Sequence, residues 1–157
     1  MSEAICDHKS PPAELINELE AAIFNGLGTD YVEVELPLKH IFTPHLYTRH
    51  ISMPKGSVVI SREHLTQHPF FILKGDVSVY DQETGKSVRL KSGHFGVTEP
   101  GSRRVLLMHE DTEWATTHVT DLTDPDEIVR EITSHDNPLL PDGFTDAAFE
   151  NKQEELK

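Results

Sequence analysis

The chain has 157 residues, of which 36% are hydrophobic, and its net charge at pH 7 is −13. This length suits one domain that buries about two-thirds of its unfolded surface. The acidic balance argues against non-specific binding to nucleic acid or to an anionic membrane, because both need a basic surface.

The acidity is concentrated in the two ends of the chain. Residues 1–29 carry a net charge of −4, residues 30–120 carry −1 and residues 121–157 carry −8. We therefore expect an N-terminal arm and helix over 1–29, a folded body over 30–120, and a C-terminal helix with an acidic tail over 121–157. Cys6 is the single cysteine, and no basic segment leads into an apolar run near it. Both features predict a cytoplasmic location.

A helix is predicted over residues 11–26. Prolines at its start are tolerated in a first helical turn, and Leu15, Ile16, Leu19 and Ile23 recur on one face at helical spacing. We expect this amphipathic helix to cover an edge or an open end of a sheet.

The pattern changes to strict alternation near residue 31, and glycine, proline and acidic turns separate short apolar segments from there to residue 120. This pattern is typical of an all-β sandwich or barrel. The predicted strands cover residues 31–36, 46–53, 57–63, 69–73, 76–81, 87–90, 94–99, 104–110 and 113–120. Asp124 then opens a short helix. The remaining tail, 136–157, is read as a segment that docks on the body or on a neighbouring subunit, or that is disordered alone.

Two groups of residues resemble the two motifs of the cupin superfamily. The first group is Gly56, His64, His68 and Gly75, and the second is Gly93, Pro100, Gly101 and Arg104. The resemblance covers roughly residues 40–120 and implies a cupin-type jelly-roll β-barrel, often dimeric and often metal-binding. It is closest to small uncharacterised cupin-like proteins encoded by tailed phages, which share a hairpin like His109 to Thr112 here. For a phage protein the location would be the host cytoplasm.

Compared with the usual cupin motifs, His64 and His68 stand at two of the four customary ligand positions, whereas Arg62 and Arg104 stand at the other two. His64 and His68 flank a short turn, so their side chains can converge. Neutral imidazole is the commonest protein ligand for zinc, iron, nickel and copper. The expected cofactor is a divalent transition metal: zinc, iron, nickel or manganese. The alternative is a polar cluster in which the two histidines bond each other, Arg62 or Gln67.

A metal site needs a further ligand, for which the candidates are His109, His118, Glu63 and Glu99. If residues 104–120 form one hairpin, His109 and His118 share a face that lies opposite to Arg104. An inward Arg104 then implies that both histidines face outward.

Arg62, Arg104, His109 and His118 are also candidate ligand-binding residues. A guanidinium group binds carboxylate or phosphate through two parallel hydrogen bonds. The alternative for both arginines is a salt bridge to a glutamate nearby in sequence: Glu63, Glu99 or Glu110.

Two functions therefore stay open. The first is a small metal-binding cupin that acts on, or binds, a small carboxylate or sugar-like molecule. The second is a non-catalytic scaffold that mediates homo-oligomerisation, with a dimer as the first expectation, or binding of a protein partner. No catalytic residue is predicted, and the sequence leaves open whether the protein is an enzyme.

Overall fold

The computed structural model describes residues 12–25 and 36–140. Cys6, the first five residues of the predicted strand 31–36, and the tail beyond residue 140 lie outside the described residues. The helices are α1 (Pro12–Phe24) and α2 (Pro125–Ile132). The strands are β1 (Leu38–Thr43), β2 (Leu46–Met53), β3 (Val58–Ile60), β4 (Glu63–His64), β5 (His68–Lys74), β6 (Asp76–Asp81), β7 (Lys86–Lys91), β8 (Phe95–Thr98), β9 (Arg104–Met108), β10 (Thr112–Val119) and β11 (Thr133–Ser134).

Most of the strands lie in two antiparallel sheets. One sheet has the order β1-β2-β10-β5-β8, and the other has the order β3-β9-β6-β7. Early strands pair with late ones, β2 with β10 and β3 with β9, and further in, β5 pairs with β8 and β6 with β7. This is a long hairpin folded over itself into two facing sheets, which defines a jelly roll. The prediction of an all-β jelly roll flanked by two helices is confirmed, although no ladder among the described strands closes the sheets into one barrel.

The predicted hairpin over 104–120 is wrong. β9 pairs with β3 and β6, whereas β10 pairs with β2 and β5. The turn between Met108 and Thr112 therefore carries the chain from one sheet to the other, and His118 lies opposite Tyr47 of β2. The expectation that His109 and His118 share one face depended on this hairpin, so it is also wrong. Both β9 and β10 pair with strands that are distant in sequence.

The helices and the two-stranded pair of β4 with β11 lie outside the two large sheets. Asp124 caps α2 by accepting a hydrogen bond from the backbone N–H of Asp126, and a capping carboxylate satisfies a donor that the helix leaves free. The short strand β11 follows α2 and pairs with β4. The strand β1 was not predicted from the sequence. No helix among the described residues is long and apolar enough to cross a membrane.

The core lies between the two sheets and holds their inward-facing apolar side chains. These are Met53, Phe70, Ile72, Val77, Val79, Leu106, Met108 and Trp114. Gly75 lies where the chain crosses from β5 to β6, with φ of 117°. A side chain there would bring a Cβ to 2.7 Å from the Thr112 Cα, so this crossing requires glycine.

Candidate metal and ligand site

A cavity of about 370 Å³ lies between the two sheets. One part of its wall is polar and includes Arg49, Arg62, Arg104 and the histidines described below, and another part is apolar and includes Ile51, Met53, Leu106 and Trp114. The cavity therefore offers ligand-binding groups on one side and a water-excluding surface on the other.

Three histidines from three different strands meet in this cavity: His64, His68 and His118. The ring centroids of His64 and His68 are 4.7 Å apart, and those of His68 and His118 are 4.3 Å apart. The backbone of His64 is fixed by two hydrogen bonds. Its backbone N–H donates to the Ser102 carbonyl at 2.9 Å, and its carbonyl accepts from the Gly101 N–H at 2.7 Å. The cluster is thus set by backbone pairing in distant parts of the chain.

Within the described residues, each histidine of the cluster keeps one buried nitrogen without a hydrogen-bond partner. These atoms are Nδ1 of His64, Nε2 of His68 and Nδ1 of His118. The opposite nitrogen of His68 donates to the Thr66 carbonyl at 3.0 Å, so Nε2 carries the lone pair. His118 Nε2 contacts the Thr116 hydroxyl at 2.9 Å. Bonds of this kind fix the ring orientation of metal-ligating histidines.

The environment keeps these imidazoles neutral. Burial, together with the neighbouring His68 and nearby arginines, lowers the pKa of His64 to about 3. Burial and the other two histidines likewise lower the pKa of His118 to about 3. The pKa of His68 is also lowered, mainly by burial and further by Arg104, against the bond to Thr66. At neutral pH all three rings are therefore lone-pair donors rather than cations.

The chemistry of this donor set fits a divalent transition metal, since neutral imidazole nitrogens are favoured ligands of zinc, iron and nickel. Among the described residues, however, no group of three or more His, Cys, Asp or Glu side chains is arranged so that it could hold a metal ion as it stands. The structure thus brings suitable donors together without a preformed coordination shell.

Arg104 faces the cavity, as the cupin resemblance implied, but its ion-pair partner differs from the predicted glutamates. Its Nε lies 3.0 Å from Asp81 Oδ2, and its Nη1 donates to the Thr98 hydroxyl at 3.0 Å. The guanidinium also lies over the Phe70 ring, 5.0 Å from its centroid. Asp81 is directly opposite Arg104 across the β6–β9 ladder, which only the tertiary pairing reveals.

Of the four predicted candidates for a further ligand, only His118 lines the cavity. The expectation that it faces outward was wrong because β9 and β10 do not pair. His109 contacts the Ser78 hydroxyl at 2.6 Å instead. Glu63 accepts a hydrogen bond from Ser134, and Glu99 accepts two from Gln67.

Arg49 is a cavity residue that the sequence reasoning missed. It lies on β2 between Tyr47 and Ile51, and these three side chains share the inward face with Met53. An arginine on an otherwise apolar strand face is a signal that could have identified it, since alternation alone assigns that face.

Comparison with known proteins finds no matching family model and no matching curated protein. Several solved structures are similar. The cupin domain of Cnp3 from Schizosaccharomyces pombe is 20% identical over 60% of this chain and 68% of its own, with a TM-score of 0.46. A predicted oxalate decarboxylase from Thermotoga maritima is 19% identical over 56% of this chain and 84% of its own, with a TM-score of 0.46.

Salicylate 1,2-dioxygenase from Pseudoaminobacter salicylatoxidans is 12% identical over 67% of this chain and 30% of its own, with a TM-score of 0.48. All three similarities are low in sequence and concern the course of the chain.

Proposed function

We propose that this protein is a metal-binding cupin-type jelly roll in which His64, His68 and His118 hold a divalent transition metal. The observation that carries the proposal is the group of three neighbouring, buried nitrogens that have no hydrogen-bond partner. A buried polar atom left unsatisfied costs about 1–3 kcal/mol, so three in one cluster indicate a site for something that binds. The cupin resemblance supports the first two residues, and the position of His118 in the cavity wall, next to His68, supports the third.

When bound, such a metal supplies a Lewis acid that polarises an oxygen of a ligand. The chain itself does the rest. Thr66 and Thr116 hold the rings of His68 and His118, and burial keeps the imidazoles neutral. Trp114 and Met53 exclude water from the apolar side. The arginines make the cavity favourable for a small carboxylate or sugar-like molecule.

Metal content tests this proposal. Protein purified without a histidine tag is reconstituted with zinc, iron(II), nickel(II) or manganese(II), dialysed, and measured by elemental analysis. We expect near-stoichiometric metal in the parent and almost none in His64→Ala/His68→Ala. The matched control, His45→Ala/His50→Ala, removes two histidines that do not line the cavity and should retain the metal. A parent that holds no metal after every reconstitution would contradict the proposal.

The outer face of the five-stranded sheet favours a second candidate function, a homodimeric scaffold. Phe95, Val97 and Val119 on this face are more than half exposed, at 71%, 52% and 82%. Among the outward-facing residues of the five described strands of this sheet, Glu113 is the only acid, and its carboxylate lies 3.7 Å from His50 Nε2. Two copies of a chain with a net charge of −13 repel each other least where acids are scarce, so this face is suited to a second copy.

Sedimentation equilibrium tests the second candidate. We expect the parent to sediment as a dimer, and Phe95→Glu/Val97→Glu to sediment as a monomer. Val88→Glu, at an exposed position of the other sheet, is the control that should remain dimeric. A monomeric parent would rule out this role for the face.

A further inference from the structure

Arg49 occupies a defined place in the cavity between the histidines and the apolar wall. Across the β2–β10 ladder, Arg49 is opposite Thr116, while the neighbouring inward pairs are Tyr47 with His118 and Ile51 with Trp114. Successive inward residues of a strand are about 7 Å apart. The guanidinium-bearing residue is thus one step from His118 on one side and one step from Trp114 on the other.

No carboxylate in the described part of the chain compensates this arginine. In residues 12–25 and 36–140, no hydrogen bond or ion pair engages the Arg49 side chain, whereas Arg104 in the same cavity pairs with Asp81. The surrounding protein lowers the pKa of Arg49 through burial, yet a guanidinium group stays protonated in proteins. Arg49 is half-buried and faces the cavity, and a charge withdrawn from water without a counter-charge is costly unless a ligand supplies one.

The rest of the cavity restricts the ligand. A volume of about 370 Å³ lies near the lower end of the range for small-molecule pockets. Next to Arg49 the wall is made by Ile51, Met53 and Trp114, which favour an apolar body. A single uncompensated guanidinium balances one negative charge, which fits a carboxylate better than a dianionic phosphate.

We propose that Arg49 binds the carboxylate of a small monocarboxylic acid whose apolar body lies against Ile51 and Trp114, next to His118. The inference rests on the proposed function, because it places this acid beside the three histidines and names the class of ligand for the same cavity.

Paired probes test the charge requirement directly. Isovalerate and isovaleramide have the same apolar body, but only the first carries a carboxylate. Their binding is measured by titration calorimetry and by the fluorescence of Trp114, the single tryptophan, with inorganic phosphate as a third probe. Each titration uses metal-free and zinc-loaded protein. We expect the acid to bind at least about tenfold more tightly than the amide, since charge-assisted bidentate bonds are the strong ones, and more tightly than phosphate.

Variants assign the effect to Arg49. Arg49→Gln should lose the preference for the acid, and Arg49→Lys, which retains the charge but not the fork of donors, should keep part of it. Arg130→Gln, on the exposed surface of α2, should bind as the parent does. Circular dichroism confirms that each variant is folded.

The inference is overturned if the parent binds acid and amide equally or binds neither, if phosphate binds more tightly than the acid, or if Arg49→Gln keeps the preference. Metal content measured on the same samples separates the two proposals. If the protein takes up metal but shows no preference for the acid, the role of Arg49 is overturned and the metal site is not. A preference for the acid in protein that takes up no metal supports Arg49 and overturns the metal site.

Discussion

Two groups of buried polar side chains in this molecule differ in whether they have partners. Near α1, Arg103 Nη2 makes no hydrogen bond, but it lies at ion-pair distance from the Glu20 carboxylate, 3.1 Å away. The same carboxylate lies 2.9 Å from His135 Nε2 and accepts a hydrogen bond from Asn137 at 3.0 Å. In the cavity, His64, His68 and His118 each keep an unpartnered nitrogen. The first group links α1 to Arg103 and to residues 135–137, so it stabilises the fold. The second group has no such partners and is the site at which we propose that a metal binds.

The largest expected effect comes from breaking the first group. Glu20→Ala removes the counter-charge of Arg103, which is only 5% exposed, and loss of one partner of a buried ion pair costs about 3 kcal/mol or more. We expect that decrease in the free energy of unfolding, measured by urea denaturation, with metal content unchanged. A decrease below about 1 kcal/mol would show that the group is not a stabilising ion pair.

The next effect is a difference in acid sensitivity. Burial and the neighbouring His68 and His64 lower the pKa of His118 from its ordinary value of 6.5 to about 3 in the folded protein. Below pH 6.5 this histidine is therefore protonated in the unfolded chain but stays neutral in the folded chain. The free energy of unfolding then decreases by about 1.4 kcal/mol for each unit by which the pH is lowered. Between pH 6.5 and pH 5 this amounts to about 2 kcal/mol in metal-free protein.

Glu20 behaves differently. Burial would raise its pKa, but hydrogen bonds from His135 and Asn137 and the charges of His135 and Arg103 outweigh burial, so the pKa is lowered from 4.5. Its contribution to stability is thus present above pH 4.5 and is lost only as the pH falls through the lowered pKa.

Urea denaturation from pH 7 to pH 5 should show a flatter profile for His118→Gln than for the parent. Parallel profiles would mean that His118 is not buried in its neutral form.

The smallest effect concerns how the histidines are held. Thr116→Val removes the hydroxyl beside His118 Nε2, and loss of such an orienting bond lowers metal affinity about 10- to 100-fold. We expect this change in a zinc titration, together with a change in unfolding free energy of no more than about 1 kcal/mol. The neighbouring Thr117→Val, whose hydroxyl contacts Thr48 instead, is the control. Equal zinc affinity in both variants would exclude a positioning role for Thr116.

Local patterns predicted most of the strands. The bounds of β2 and β6 agree with the predicted strands 46–53 and 76–81, because alternation of apolar and polar residues is a property of the strand alone. The turn between His64 and His68 was also predicted, because it too depends on residues that are close together in sequence. β1 was missed because five of its six residues are exposed, which leaves no alternation to detect.

The sequence by itself determined which side chains share a strand face, including the inward set of Tyr47, Arg49, Ile51 and Met53. Only the tertiary structure decided which strands became neighbours. The pairing of β10 with β2 and β5, rather than with β9, turned His118 towards His68 and placed Arg49 one step away. The physical reason is that side-chain direction follows from local backbone geometry, whereas strand partners follow from long-range hydrogen bonding and burial across the whole chain.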